Sequence, residues 1–122
     1  MAKRVLVVED NELNLKLFCD LLRAHDFVTE GLRDGRDVVA RAQAFAPDLI
    51  ITDIQLPHVS GLELITQLKA DPMLWAIPIM AVTAYGGRED EERIRSAGAD
   101  AYVSKPISLM RFVEAVNRLI AP

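Results

Sequence analysis

The chain lacks the residues that several common chemistries need. It has one cysteine, Cys19, among 122 residues, so no internal disulfide can form and a reducing compartment is expected. Cys19 lies among apolar residues in a helical pattern, where a packed small side chain is the expected role rather than a nucleophile. The two histidines, His25 and His58, do not sit in a helical histidine phosphotransfer pattern, and neither falls at a strand end. His58, in the loop after Asp53, reads as an exposed loop residue. Clustered positive charge is missing beyond Lys3 and Arg4, and the formal charge is -4, which argues against a nucleic-acid surface. No apolar run is long enough for a signal peptide or a membrane span, since VLVV meets two acids at once; a cytoplasmic protein without membrane insertion is expected. Internal repeats, low-complexity tracts and linkers are also missing.

What remains suits one folded domain. The length fits a single core covered on both sides, and about half the residues are apolar. Residues 1–122 read as that one domain, with no output domain after the last helix.

Short, continuously apolar runs rich in branched side chains recur: VLVV (5–8), DLIIT (48–52) and IPIMAVT (77–83). Such runs suit strands buried on both faces of a parallel sheet. FVTEGL (27–32) and DAYVS (100–104) are weaker and suit edges. Helical patterns lie between them. Leu13, Leu17 and Leu21, with Phe18 and Leu22, predict an apolar stripe on the first helix; Val38, Ala42 and Phe45 mark the second, which must stop before Pro47. SGLE, from Ser60 to Glu63, predicts a capping box opening the third, with Leu64, Ile65 and Leu68 on its buried face. The fourth, GREDEERIRSAG, is nearly all charge apart from Ile94 and Ala97. Its spacing predicts pairs from Glu89 to Arg93 and from Glu91 to Arg95, with Gly98 as a left-handed cap. The fifth begins after Ser108 and carries Leu109, Phe112, Val113, Val116, Leu119 and Ile120. Five alternations of strand and helix predict an α/β fold with a parallel sheet and helices on both faces.

In such sheets ligands bind beyond the carboxyl ends of the strands. Those ends carry Glu9 and Asp10, then Asp53, then Thr83, then Lys105. Three crowded carboxylates call for a positive partner, and hard oxygen donors favour magnesium over zinc. Asp53, at the end of a rigid strand and followed by the turn through Pro57 and Gly61, could attack phosphorus. Lys105 and the Thr83 hydroxyl could hold phosphoryl oxygens, and the Gln55 carbonyl could be a third protein ligand to the metal. Taken singly, each has a plainer reading: Asp10 as a cap with Asn11, Asp53 as a solvated charge, Thr83 as a turn residue, Lys105 as a surface lysine. Their joint occurrence at consecutive strand ends favours chemistry.

The segments VLVVEDN, LIITDIQLPHVSGLEL, IPIMAVTA and AYVSKPI, in this order and spacing, resemble the receiver domain of two-component response regulators over essentially the whole chain. The resemblance implies a doubly wound, flavodoxin-like sheet of strand order 2-1-3-4-5. It implies that Asp53 accepts phosphate from a phosphohistidine on a sensor kinase or phosphotransfer protein. Magnesium, with manganese able to replace it, would be held by Glu9, Asp10, Asp53 and the Gln55 carbonyl. Thr83 and Lys105 would sense the phosphoryl group, Tyr102 would be the switch aromatic, and the Lys105–Pro106 bond would be cis. Glu9 stands where aspartate is more frequent, and its extra methylene suggests contact with the metal through water. EDNELNLKLF, DEERIR and YVSKPISL resemble, more narrowly, single-domain regulators of bacterial cell division and polarity. The signal would then pass by protein contact, through the face of the fourth helix, fifth strand and fifth helix, from a monomer or weak dimer. Such a protein is not an enzyme.

Two other functions share these residues. An aspartate-nucleophile phosphohydrolase usually has a second acid where this chain has Gln55, and a receiver-like module binding without phosphorylation would not need Asp53, Thr83 and Lys105 together. Gln55 and Tyr85 flank the site and could set the phosphoryl lifetime by admitting or excluding water. Trp75, before the fourth strand, is expected to pack.

Overall fold

In the computed structural model residues 2–84, 88–105 and 107–120 are described. Five strands, β1 (Arg4–Val8), β2 (Val28–Leu32), β3 (Leu49–Asp53), β4 (Ile79–Thr83) and β5 (Ala101–Ser104), alternate with α1 (Glu12–Ala24), α2 (Val38–Phe45), α3 (Gly61–Ala70), α4 (Arg88–Ala97) and α5 (Leu109–Ile120). All strand pairs are parallel, in the order β2-β1-β3-β4-β5. The chain first winds outward from β1 to β2, then returns past β1 to β3, so the order reverses between β1 and β3. That reversal opens a crevice at their carboxyl ends.

Because successive side chains of a strand point to opposite faces, each central strand feeds two cores. Leu6, Val8, Ile50 and Ala81 pack with Val38, Ala42, Leu64, Ile65, Leu68 and Ile94, on the side of α2, α3 and α4. Val5, Val7, Ile51, Met80 and Val82 pack with Phe18, Leu22, Phe112 and Val116, on the side of α1 and α5. There the Phe18 and Phe112 rings stack with centroids 5.0 Å apart, tying α1 to α5.

Local chemistry sets the helix ends. The Asn11 side chain accepts from Asn14 N at 3.0 Å to cap α1, and Ser60 accepts from Glu63 N at 3.2 Å to cap α3. Ser108 accepts from Arg111 N at 3.4 Å at the start of α5. Gly98, after α4, has φ +122°, and a β-carbon there would meet Lys69 Cγ at 2.7 Å. Glycine alone fits both demands.

Four expectations change. The buried face of α1 is Phe18, Cys19 and Leu22, with Leu15 beside them, whereas Leu13 is 79% and Leu17 45% exposed. Four-residue spacing drifts around a helix of 3.6 residues per turn, and Phe18 and Leu22 carry the stripe that meets α5. Arg93 lies 3.9 Å from Asp90 rather than pairing with Glu89, while the Arg95–Glu91 pair forms as expected at 3.0 Å. Trp75 is exposed, because its neighbour Leu74 is the residue of that loop that turns into the core. Leu109 is also exposed, leaving Phe112 and Val116 as the buried face of α5.

Candidate functional site

The parallel register aligns the strand ends. Val8 lies beside Thr52, Asp53 beside Val82, and Thr83 beside Ser104. Glu9 stays tied to the sheet through its N–H to Leu32 O at 2.9 Å, so its side chain emerges next to that of Asp53. One oxygen from each of Glu9, Asp10 and Asp53 lies within 4.8 Å of the others. Glu9 and Asp53 are buried and Asp10 is exposed.

Lys105 reaches this cluster from the end of β5. Its N–H donates to Thr83 O at 2.7 Å, which anchors the residue across the β4 end. Its ammonium then donates to Asp53 Oδ2 at 3.0 Å and Glu9 Oε1 at 3.1 Å. The second oxygens are held by backbone: Gln55 N donates to Asp53 Oδ1 at 3.2 Å, and Asn11 N to Glu9 Oε2 at 3.3 Å. The Asp53 carboxylate is thus held by its strand and by the second amide of the following turn.

Gly61 makes that turn possible. A β-carbon on it would lie 2.3 Å from Asp53 O and 2.5 Å from Ile54 Cα, inside any allowed contact. With hydrogen alone, α3 begins directly against the Asp53 backbone, and Gly61 N closes the turn on Ile54 O at 2.8 Å. Glycine in the first turn of a helix, where it costs backbone entropy, was the sequence signal for this close approach.

The charges are unevenly balanced. Burial pushes the Glu9 carboxyl up from 4.5 to about 7, helped by the hydrogen bond and repulsion from Asp53 and opposed by Lys105 and the Asn11 N–H. For Lys105, burial alone would lower the ammonium; hydrogen bonds and attraction from Asp53 and Glu9 outweigh it, and the value rises above 10.5. One ammonium against three carboxylates leaves room for more positive charge. Clustered hard oxygen donors, two of them buried, fit a small divalent cation.

Glu9, Asp10, Asp53 and Lys105 therefore come together, and Thr83, itself buried, sits beside them through the bond from Lys105 N. Tyr102 stands apart: half-buried on β5, it packs against the α2, α3 and α4 core and lines a groove beside α5. Tyr85 and the Lys105–Pro106 bond fall outside the described residues. His58 is exposed at φ +69°. Sequence reasoning did not foresee the Glu9–Lys105 ion pair, nor Arg33, whose guanidinium donates to Asp10 O at 3.3 Å. Contacts between residues so distant in sequence leave no local signature.

A sequence model of the Response regulator receiver domain family matches residues 5–117. The chain is 53% identical over 117 residues to the Polar-differentiation response regulator DivK of Brucella anthropi, covering 96% of this chain and 95% of that protein. Among solved structures it is similar to the chemotaxis response regulator CheY4 of Vibrio cholerae, with TM-score 0.92, 24% identity, and 98% and 99% of the two chains covered. It is also similar to the receiver domain of a sensor histidine kinase from Pseudomonas aeruginosa, solved with a magnesium ion in its active-site cleft. There the TM-score is 0.91 and the identity 27%, with both chains fully covered at 100%.

Proposed function

The chain belongs to the response regulator receiver family, and from that premise we propose that Asp53 is its phosphoacceptor. A carboxylate oxygen of Asp53 attacks the phosphorus of a phosphohistidine on a sensor kinase or phosphotransfer protein. The phosphorus–nitrogen bond breaks, an acyl phosphate forms, and the departing imidazole takes up a proton. The observation that carries this is the Lys105 ammonium, 3.0 Å from Asp53 and 3.1 Å from Glu9 in a crevice of three carboxylates.

Lys105 moves from the carboxylate to the incoming phosphoryl oxygens, keeping its charge-assisted bonds while the negative charge grows. The Thr83 hydroxyl supplies another donor to the same group. Glu9, Asp10, Asp53 and the Gln55 carbonyl would hold magnesium, which when bound neutralises charge on the phosphoryl oxygens. Glu9, longer by one methylene than aspartate, would reach it through water. Gln55 and Tyr85, each two residues beyond Asp53 and Thr83 in the sequence, set the lifetime of the phosphoryl group by admitting or excluding water.

Output is by contact rather than turnover. The chain acts as a signalling protein, with residues 1–122 as one receiver unit, a cytoplasmic location, and a monomeric or weakly dimeric state. Thr83 shifts toward the phosphoryl group, Tyr102 follows inward, and the α4, β5 and α5 face exchanges partners. This requires only a shift between two existing states. Likeness to the Polar-differentiation response regulator DivK supports a part in bacterial polarity and cell-division control. Among the described residues no helix is long and apolar enough to cross a membrane.

Intact-mass spectrometry after incubation with acetyl phosphate tests the acceptor. A magnesium-dependent single phosphoryl adduct, lost in Asp53→Asn, is expected. An adduct unchanged in that variant, or none at all, would overturn the assignment.

A further inference from the structure

Among the described residues β5 is an outer strand of the sheet, bonded to β4 on one side only. In a parallel ladder alternate residues bond to opposite neighbours. Lys105 N donates to Thr83 O at 2.7 Å, so Val103 and Ala101 before it bond toward β4, and Tyr102 and Ser104 direct their N–H and C=O groups to the open edge. Beside that edge runs a groove of about 460 Å³ between Tyr102, Val103 and Ser104 on one side and Arg111 and Arg118 of α5 on the other.

The two arginines are seven residues apart, two helical turns, and so project on one side of α5 at about 10 Å spacing. Both are exposed, and among the described residues neither closes on a carboxylate, although Glu114 lies between them. Arg36, Arg41 and Arg95, by contrast, hold acids at 3.1, 2.9 and 3.0 Å. An open strand edge flanked by two unspent guanidiniums complements an extended segment whose own acids lie on one face. Such a segment places same-face residues about 6.6 Å apart, within guanidinium reach of two of them.

We propose that the β5–α5 groove docks an acidic, extended segment of a partner protein as a sixth strand. A second copy of this chain is a poor occupant, because its densest acidic run, Glu89 to Glu92, is helical. The inference deepens the proposed output by contact on this face and rests on it for biological purpose. The groove itself is formed without a phosphoryl group.

The probe is a fluorescent synthetic peptide of alternating glutamate and valine, with a lysine-and-valine counterpart. Anisotropy gives affinity, and amide NMR shifts give location. The glutamate peptide should bind, with shifts confined to β5 and α5, and the lysine peptide should not. Arg111→Ala with Arg118→Ala should weaken binding about tenfold or more. Ser104→Pro, which removes an outward N–H and leaves the β4 ladder alone, should do the same. Should Ser104→Pro fail to fold, Arg111→Glu with Arg118→Glu remains decisive, and is expected to reverse the preference to the lysine peptide. Shifts elsewhere, equal binding of both peptides, or no effect of the arginine changes would overturn the proposal. Binding is measured without a phosphodonor and repeated in Asp53→Asn, where it should be unchanged. A chain that takes up a phosphoryl group yet ignores the peptide refutes the groove alone; one that binds the peptide yet takes up none supports the groove and refutes the phosphoacceptor.

Discussion

Glu9 offers a direct test of the site's electrostatics. In metal-free protein its carboxyl titrates near 7, against 4.5 for an unstrained glutamate. Between those values the folded state holds a proton that the unfolded chain has released, so stability falls as pH rises through the window. Below it both states are protonated and nothing is lost; above it the full cost of a buried carboxylate facing Asp53 is present. The gap corresponds to on the order of 3 kcal/mol. Lys105 gives a slope of the same sign in a separate window: its raised value adds stability that is lost as pH rises above its ordinary 10.5. Urea unfolding in EDTA from pH 4.5 to 8, comparing the natural chain with Glu9→Gln, isolates the effect because other groups cancel in the difference. The natural chain should lose stability relative to the variant as pH rises, and magnesium should restore more of it at pH 8 than at pH 5. A stability of the natural chain minus that of the variant that stays flat or rises with pH in EDTA would refute this account of the cluster.

Other expectations follow from single contacts. Gly61→Ala forces apart the α3 start and the Asp53 carbonyl, now too close for a β-carbon; a loss of about 1–3 kcal/mol in denaturant unfolding and slower labelling by acetyl phosphate are expected. Lys105→Ala leaves Glu9 and Asp53 without their shared cation; because the lysine is partly exposed, a loss of about 1–3 kcal/mol is expected in EDTA and a smaller one with magnesium, by the same melts. Ala46→Gly relieves the left-handed α2 cap at φ 52°, and a gain of about 1 kcal/mol should appear in thermal unfolding. Leu13→Ser should change stability by less than about 0.5 kcal/mol, while Leu22→Ala should cost about 2–5 kcal/mol; equal effects would mean that α1 buries the other face.

Much of this was legible in the chain itself, since it depended on local pattern. Short apolar runs flanked by helical stripes specify a doubly covered parallel sheet, and Glu9, Asp10, Asp53, Thr83 and Lys105 stand at strand ends whatever the exact boundaries. Ser60 announced its cap because capping is a three-residue interaction. The face of α1 was misread because Leu13, Leu17 and Phe18 are equally apolar; only the position of Phe112 across the layer decided that Phe18 and Leu22 go inward. The same holds at the site. That Lys105 spans 3.0 Å to Asp53 and 3.1 Å to Glu9, that burial lifts Glu9 toward neutrality, and that Gly61 must carry no side chain are outcomes of packing between distant segments. Residue order determined which groups reach the crevice. Distance, dielectric surroundings and free space within it exist only once the strands lie side by side.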